Sequence, residues 1–111
     1  MGLLIYCTLR SDAEQAALYA QGRTAPGVIV TNARAGESLH NPDANGHANA
    51  FDAVPMRGGK PLWDDRDALL KIGQLGEAAG LVWAGRWAGK LRERVHFQAS
   101  PAMLRNIKKG L

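Results

Sequence analysis

The chain has 111 residues and a mass of 11.9 kDa, which predicts a single domain over residues 1–111. Hydrophobic residues make up 46% and charged residues 22% of the sequence, and this balance excludes a disordered or fibrous chain. The one cysteine excludes an internal disulfide and a thiolate zinc site, and the longest apolar runs are too short for membrane insertion.

The net charge of +4 is unevenly distributed along the chain. Residues 1–55 carry three basic and five acidic side chains, whereas residues 56–111 carry eleven basic and five acidic ones. A basic surface can bind nucleic acid, anionic lipid or an anionic polymer such as a cell wall, or it can simply keep a protein soluble. No helix-turn-helix, zinc-finger or RNP-like pattern accompanies the charge, so we do not expect nucleic-acid binding.

Three segments carry the start and stop signals of helices: residues 11–22, 64–79 and 100–110. Ser11 and Glu14 form a capping box at the start of the first segment. The second segment has one apolar face and ends before Gly80. The third begins with Ser100 as N-cap and Pro101 at the first helical position.

Four short segments rich in β-branched or aromatic residues are predicted to be strands: residues 28–31, 50–54, 81–83 and 95–98. Pro55 and a turn at Gly58 and Gly59 end the second of them. The short connection between the last two favours an α+β fold, with a small antiparallel sheet and helices packed on it. Residues 32–49 form a long loop without apolar periodicity, and such loops often carry function.

The histidines and one aspartate lie where core packing does not explain them. His40 and His47 belong to the long loop, and His96 lies in a predicted strand. Asp52 interrupts an otherwise apolar strand, and a buried carboxylate must be paired, hydrogen-bonded or bound to a metal. Two histidines and one aspartate are a suitable zinc set with a fourth position left open, although no HExxH motif is present.

Glu93 lies three residues before His96. A carboxylate near a metal ligand can accept a proton from the attacking water and pass it to the leaving amine. The alternative is a surface glutamate that pairs with Arg92 or Arg94. The spacing by itself is compatible with both.

Several short motifs follow one another in the order found in one family of enzymes. They are RS at 10–11 with Gln15, YAQGR at 19–23, PG at 26–27, VTNA at 30–33, SLHN at 38–41, AFD at 50–52, WAGRW at 83–87 and ERVHF at 93–97. Together they resemble the M15 peptidoglycan peptidases, above all the branch of L-alanyl-D-glutamate endopeptidases that includes phage endolysins. The resemblance covers residues 6–98 and implies a sheet fold shared with D,D-peptidases and the Hedgehog signalling domain.

The resemblance implies a role for each matching position. His40, Asp52 and His96 would bind one zinc ion per chain. Glu93 would be the general base, and Arg10 would stabilise the substrate carbonyl oxygen as it becomes negative.

Three further residues complete the expected site. Ser38 would orient the loop that carries the first metal ligand. We expect Trp87 to face the substrate. Arg86, with Arg92 and Arg94 as alternatives, would bind free carboxylates of the substrate, since a guanidinium binds a carboxylate through two hydrogen bonds.

The sequence departs from the family pattern in four places. Five extra residues lie within 42–49, and they introduce His47 as a rival ligand, although the SLHN motif favours His40. Glu93 stands where this branch more often has aspartate. Ala84 replaces the first glycine of the WGG motif, and few residues precede the first motif.

The resemblance implies zinc-dependent hydrolysis of the L-alanyl–D-glutamate bond in the stem peptide of bacterial peptidoglycan. No signal peptide is recognisable, which fits a monomeric phage or prophage endolysin held in the cytoplasm until its release to the cell wall. The alternatives are a D-alanyl-D-alanine carboxypeptidase of the same family, and a wall-binding or phage structural module that has lost turnover.

Overall fold

One antiparallel sheet organises residues 1–108, the part of the chain described by the structure, a computed structural model. Its strands are β1 (Gly2–Cys7), β2 (Ala50–Arg57), β3 (Lys60–Pro61), β4 (Val82–Trp83) and β5 (His96–Gln98). The strand order is β1-β2-β5-β4, and β3 pairs with the end of β2. With the helices described next, this arrangement confirms the predicted α+β fold.

The helices are α1 (Asp12–Ala20), α2 (Arg66–Ala78) and α3 (Pro101–Lys108). The capping box of α1 is present, because Ser11 Oγ accepts from the Glu14 amide and the Glu14 carboxylate accepts from the Ser11 amide. Helix α3 begins as predicted, whereas its predicted end at Lys109 and Gly110 lies outside the described residues. None of the helices within residues 1–108 has the length and apolar character that a bilayer crossing requires.

The prediction of a strand at residues 28–31 is wrong. Within residues 1–108 this segment pairs with no strand, and side chains bind its backbone carbonyls instead. Gln21 Nε2 donates to the Val28 carbonyl at 3.1 Å, and Arg23 Nη1 donates to the Thr31 carbonyl at 3.1 Å. A β-branched composition produces a strand only where a neighbouring edge supplies a ladder.

Strand β1 is not among the predicted strands, and β2 extends beyond its predicted end at Val54. Strand β2 continues through Pro55, whose carbonyl accepts from the Leu62 amide at 2.9 Å just beyond β3. Strand β1 is an edge strand with most of its residues exposed. Its sequence, GLLIYC, is an apolar run without the alternation of apolar and polar residues by which a half-buried strand is recognised.

The hydrophobic core lies between one face of the sheet and α2. Its buried members are Ala53, Leu69, Ile72, Trp83 and Phe97. Side chains alternate along a strand, so the neighbours of Ala53 and Phe97 in the sequence, Asp52 and His96, point to the opposite face. The register of β2 and β5 pairs these two residues directly. The core thereby fixes the position of two candidate ligands.

A methyl group at Gly73 in α2 would collide with the buried Trp83 ring. Gly73→Ala should therefore lower the free energy of unfolding by about 1–3 kcal/mol, although alanine normally favours a helix by about 1 kcal/mol over glycine. Chemical denaturation measures the change. Lys71→Ala, at an exposed position of α2, is the control and should stay within about 0.5 kcal/mol of wild type. An unchanged Gly73→Ala protein would contradict this packing.

Candidate metal centre

The polar face of the sheet carries two of the three candidate ligands. Asp52 in β2 and His96 in β5 lie opposite each other in the register. Cross-strand partners project from the same face of a sheet. The His96 Nδ1 and Asp52 Oδ1 atoms accordingly lie 3.4 Å apart.

The third candidate ligand, His40, comes from the long loop, and the buried Asn41 fixes this part of the loop. Asn41 Oδ1 accepts from the Gly36 and Ser38 amides, and Asn41 Nδ2 donates to the Arg10 carbonyl at 2.9 Å. The Arg10 amide donates to the His40 carbonyl at 2.7 Å. Ser38 Oγ accepts from the His40 amide at 3.2 Å, so the hydroxyl contacts the backbone of the loop at His40.

Three ligand atoms converge at one point. His40 Nε2 lies 3.1 Å from both Asp52 Oδ1 and His96 Nδ1, and the third edge of the triangle is the 3.4 Å between His96 and Asp52. Tetrahedral zinc with bonds of about 2.0–2.1 Å separates its ligand atoms by about 3.3–3.4 Å. The triangle therefore fits three of the four positions of a tetrahedral zinc ion.

The outer nitrogen of each histidine ring has its own acceptor. His40 Nδ1 lies 2.9 Å from the Thr8 carbonyl, which can only accept, so Nδ1 carries the hydrogen. His96 Nε2 lies 2.9 Å from Gln98 Oε1. When the rings are neutral, His40 Nε2 and His96 Nδ1 present lone pairs to the Asp52 carboxylate, and a shared proton or metal ion stabilises this arrangement.

The charge state of Asp52 suits a metal ligand. Burial raises the pKa of its carboxyl group, but hydrogen bonds to His40 and His96 outweigh burial and lower the pKa to about 2. Burial lowers the pKa of His96, whereas hydrogen bonds to Asp52 and Gln98 raise it, and the net direction is upward. Asp52 is thus an anion at neutral pH, the form that binds a cation.

Cys7 offers a competing ligand set with His40 and Asp52. One ligand atom from each of these three residues lies within 4.8 Å of the others. The Cys7 thiol, however, lies 3.7 Å from His40 Nδ1, the nitrogen that the Thr8 carbonyl already occupies. The set with His96 is tighter and uses the free nitrogen, so it fits a metal better.

A cavity of about 600 Å³ opens over this triangle. It is lined by seven of the eight predicted site residues: Arg10, Ser38, His40, Asp52, Trp87, Glu93 and His96. Glu93 Oε2 lies 3.7 Å from His96 Nδ1, and the Trp87 ring centroid lies 5.8 Å from that of His96. The structure thus gathers the predicted ligands, proton acceptor and aromatic residue at one opening.

Two residues considered in the sequence analysis lie elsewhere. Arg86 forms an exposed ion pair with Glu77 at 3.0 Å and is absent from the cavity lining. His47 is exposed, and its amide donates to Asp43 Oδ1 at 3.0 Å within the loop insertion. Hydrogen bonds to the Asp43 carboxylate hold the insertion together. Of the two loop histidines, His40 lines the cavity.

No family model matches the chain, but a curated bacterial enzyme is similar to it. Over 101 residues the chain is 34% identical to the peptidoglycan L-alanyl-D-glutamate endopeptidase CwlK of Bacillus subtilis (strain 168). This chain belongs to the M15 peptidoglycan peptidase family. The alignment covers 83% of the chain and 57% of CwlK, so the chain spans little more than half the length of this relative.

Gln15 belongs to the M15 motifs, but no role was predicted for it from the sequence. Gln15 is fully buried beside the site. Its Oε1 accepts from Arg10 Nη1 at 2.9 Å, and its Nε2 donates to the Ala33 carbonyl at 2.6 Å. A polar residue in the middle of an Ala-rich helix was the available signal, because a buried amide must find partners.

The ligand triangle predicts about one zinc ion per chain in the purified protein, measured by elemental analysis. His96→Ala should abolish stoichiometric binding because it removes one corner of the triangle. Cys7→Ser should keep the ion, since the thiol lies beside the occupied nitrogen of His40. Zinc that survives the loss of His96 but not the loss of Cys7 would reverse this assignment.

The two loop histidines form a matched pair of variants. His40→Ala should lose zinc, whereas His47→Ala should bind zinc with wild-type affinity because its side chain is exposed outside the cavity. Titration with zinc against a chromophoric chelator distinguishes them. The opposite pattern would show that the insertion has exchanged the ligand.

Proposed function

We propose that this chain is a zinc-dependent endopeptidase that cleaves the L-alanyl–D-glutamate bond in the stem peptide of bacterial peptidoglycan. The observation that carries the proposal is the triangle of His40, Asp52 and His96 at the floor of an open cavity. CwlK is named as an L-alanyl-D-glutamate endopeptidase, and this activity supports the choice of substrate. We extend the proposal to a monomeric endolysin of a phage or prophage.

His40, Asp52 and His96 would hold the zinc ion. Zinc bound there supplies a Lewis acid that polarises the scissile carbonyl and lowers the pKa of a water molecule. Asp52 would contribute the one negative charge among the three ligands. All three residues line the cavity, where the substrate has access.

Glu93 is the proposed proton acceptor, and a turn places it over the site. The His96 amide donates to the Glu93 carbonyl at 3.2 Å, which folds residues 93–96 so that both side chains reach the cavity. Arg92, the suggested surface partner, donates from Nε to the Trp87 carbonyl at 3.0 Å instead. Glu93 would accept the proton of the attacking water and transfer it to the leaving amine.

Arg10 is the proposed stabiliser of the oxyanion. Its guanidinium lies 3.8 Å from Asp52 Oδ2 at the cavity wall and is held from behind by Gln15. A fixed cation beside the scissile carbonyl stabilises the negative charge that develops on the oxygen. The buried support from Gln15 keeps this charge in place before the substrate arrives.

The cavity leaves room for an extended substrate on one side of the site. A second depression shares the lining residues Thr31, Ala33, Glu37, Trp87 and Glu93 with the first and continues to Leu91. The site therefore lies along a groove that extends past the proton acceptor. A substrate chain can continue past Glu93 in this direction, with Trp87 beside it.

Glu93→Gln separates metal binding from chemistry. The variant should fold and bind zinc like the wild type, yet lose at least about 100-fold in turnover because the proton acceptor is missing. Glu93→Asp should lose less, since it keeps the carboxylate. The assay is release of new amino groups from purified peptidoglycan, with mass spectrometry of the products to identify the bond.

Glu77→Gln is the matched control, because Glu77 pairs with Arg86 outside the cavity. It should hydrolyse peptidoglycan at the wild-type rate. Wild-type turnover from zinc-loaded Glu93→Gln would remove Glu93 from the mechanism. A zinc-loaded wild type that binds peptidoglycan without releasing amino groups would favour the inactive wall-binding module.

A further inference from the structure

Gln98 lies next to the site through the geometry of a single strand. It follows His96 by two residues in β5, and residues two apart on a strand project from the same face. Its Oε1 atom consequently reaches the His96 Nε2 atom at 2.9 Å. Gln98 also lines the main cavity, so its amide lies at the site and not on the core side of the sheet.

The backbone around Gln98 is held on both sides. In the register of the sheet, Gln98 pairs with Ala50 of β2 on one side and with Val82 of β4 on the other. A strand paired along both edges has little freedom to shift. The amide is therefore presented to the His96 ring from a fixed position.

The two histidine ligands differ in what fixes their rings. For His40 the acceptor is the Thr8 backbone carbonyl, which belongs to the fold itself. For His96 it is the Gln98 side chain, which a substitution can remove. An acceptor at Nε2 requires the hydrogen of the neutral ring to be on Nε2, and this leaves the Nδ1 lone pair directed at Asp52 and His40.

We propose that Gln98 is a positioning residue that holds the His96 ring with its hydrogen on Nε2 and so presets Nδ1 as a metal ligand. The inference rests on the metal site of the proposed function, but it concerns binding and not turnover. Groups that orient a ligating histidine typically contribute 10- to 100-fold to metal affinity. A neutral amide supplies this orientation without adding a second negative charge beside Asp52.

Three variants of the full chain test the proposal by their zinc dissociation constants. Gln98→Met keeps the length of the side chain and removes the acceptor, so its affinity for zinc should fall by about 10- to 100-fold. Gln98→Glu keeps an acceptor and should bind zinc at least as tightly as the wild type. Gln21→Met is the control: the Gln21 amide binds the Val28 carbonyl away from the site, and its loss should leave zinc affinity unchanged.

Nitrogen-15 NMR of the His96 ring in the zinc-loaded wild type gives a second measurement that does not depend on the folding of any variant. The expected spectrum shows a hydrogen on Nε2 and the metal on Nδ1. A hydrogen on Nδ1, or a folded Gln98→Met protein with wild-type zinc affinity, would overturn the proposal. Neither measurement reads turnover, so an inactive protein with the expected zinc affinities would remove the proposed function alone.

Discussion

The organisation of this molecule depends on three potential ligand atoms that face one another. His40 Nε2, His96 Nδ1 and Asp52 Oδ1 lie within 3.4 Å of each other at a largely buried point. Lone pairs brought so close in a low-dielectric environment repel unless a cation lies between them. The acceptors behind the two rings direct both lone pairs inward, so the surrounding structure is arranged for a cation.

Few elements of this small fold are needed to bring the three candidate ligands together. Side chains of β2 and β5 alternate between the two faces of the sheet. Ala53 and Phe97 therefore pack in the core, while Asp52 and His96 lie at the site on the other face, so one sheet register serves both stability and chemistry. The loop ligand depends on side-chain hydrogen bonds, above all those of the buried Asn41. Core packing thus positions Asp52 and His96, whereas polar contacts position His40.

The sequence was informative where a signal is local. The caps of α1 and α3 and the charged Asp52 within an apolar strand needed no knowledge of distant residues. The strand predicted at 28–31 failed because strand formation depends on a partner that composition does not reveal. The role of Gln98 and the pairing of Arg86 with Glu77 depend on side-chain geometry in three dimensions, which spacing in the sequence does not specify.

Anomalous diffraction at the zinc edge from zinc-loaded crystals identifies the atoms that bind the metal. We expect one strong site per chain, with His40 Nε2, His96 Nδ1 and one Asp52 oxygen at about 2.0–2.2 Å from the ion. Zinc bound by Cys7 or His47, or through the outer nitrogen of His96, would contradict this assignment.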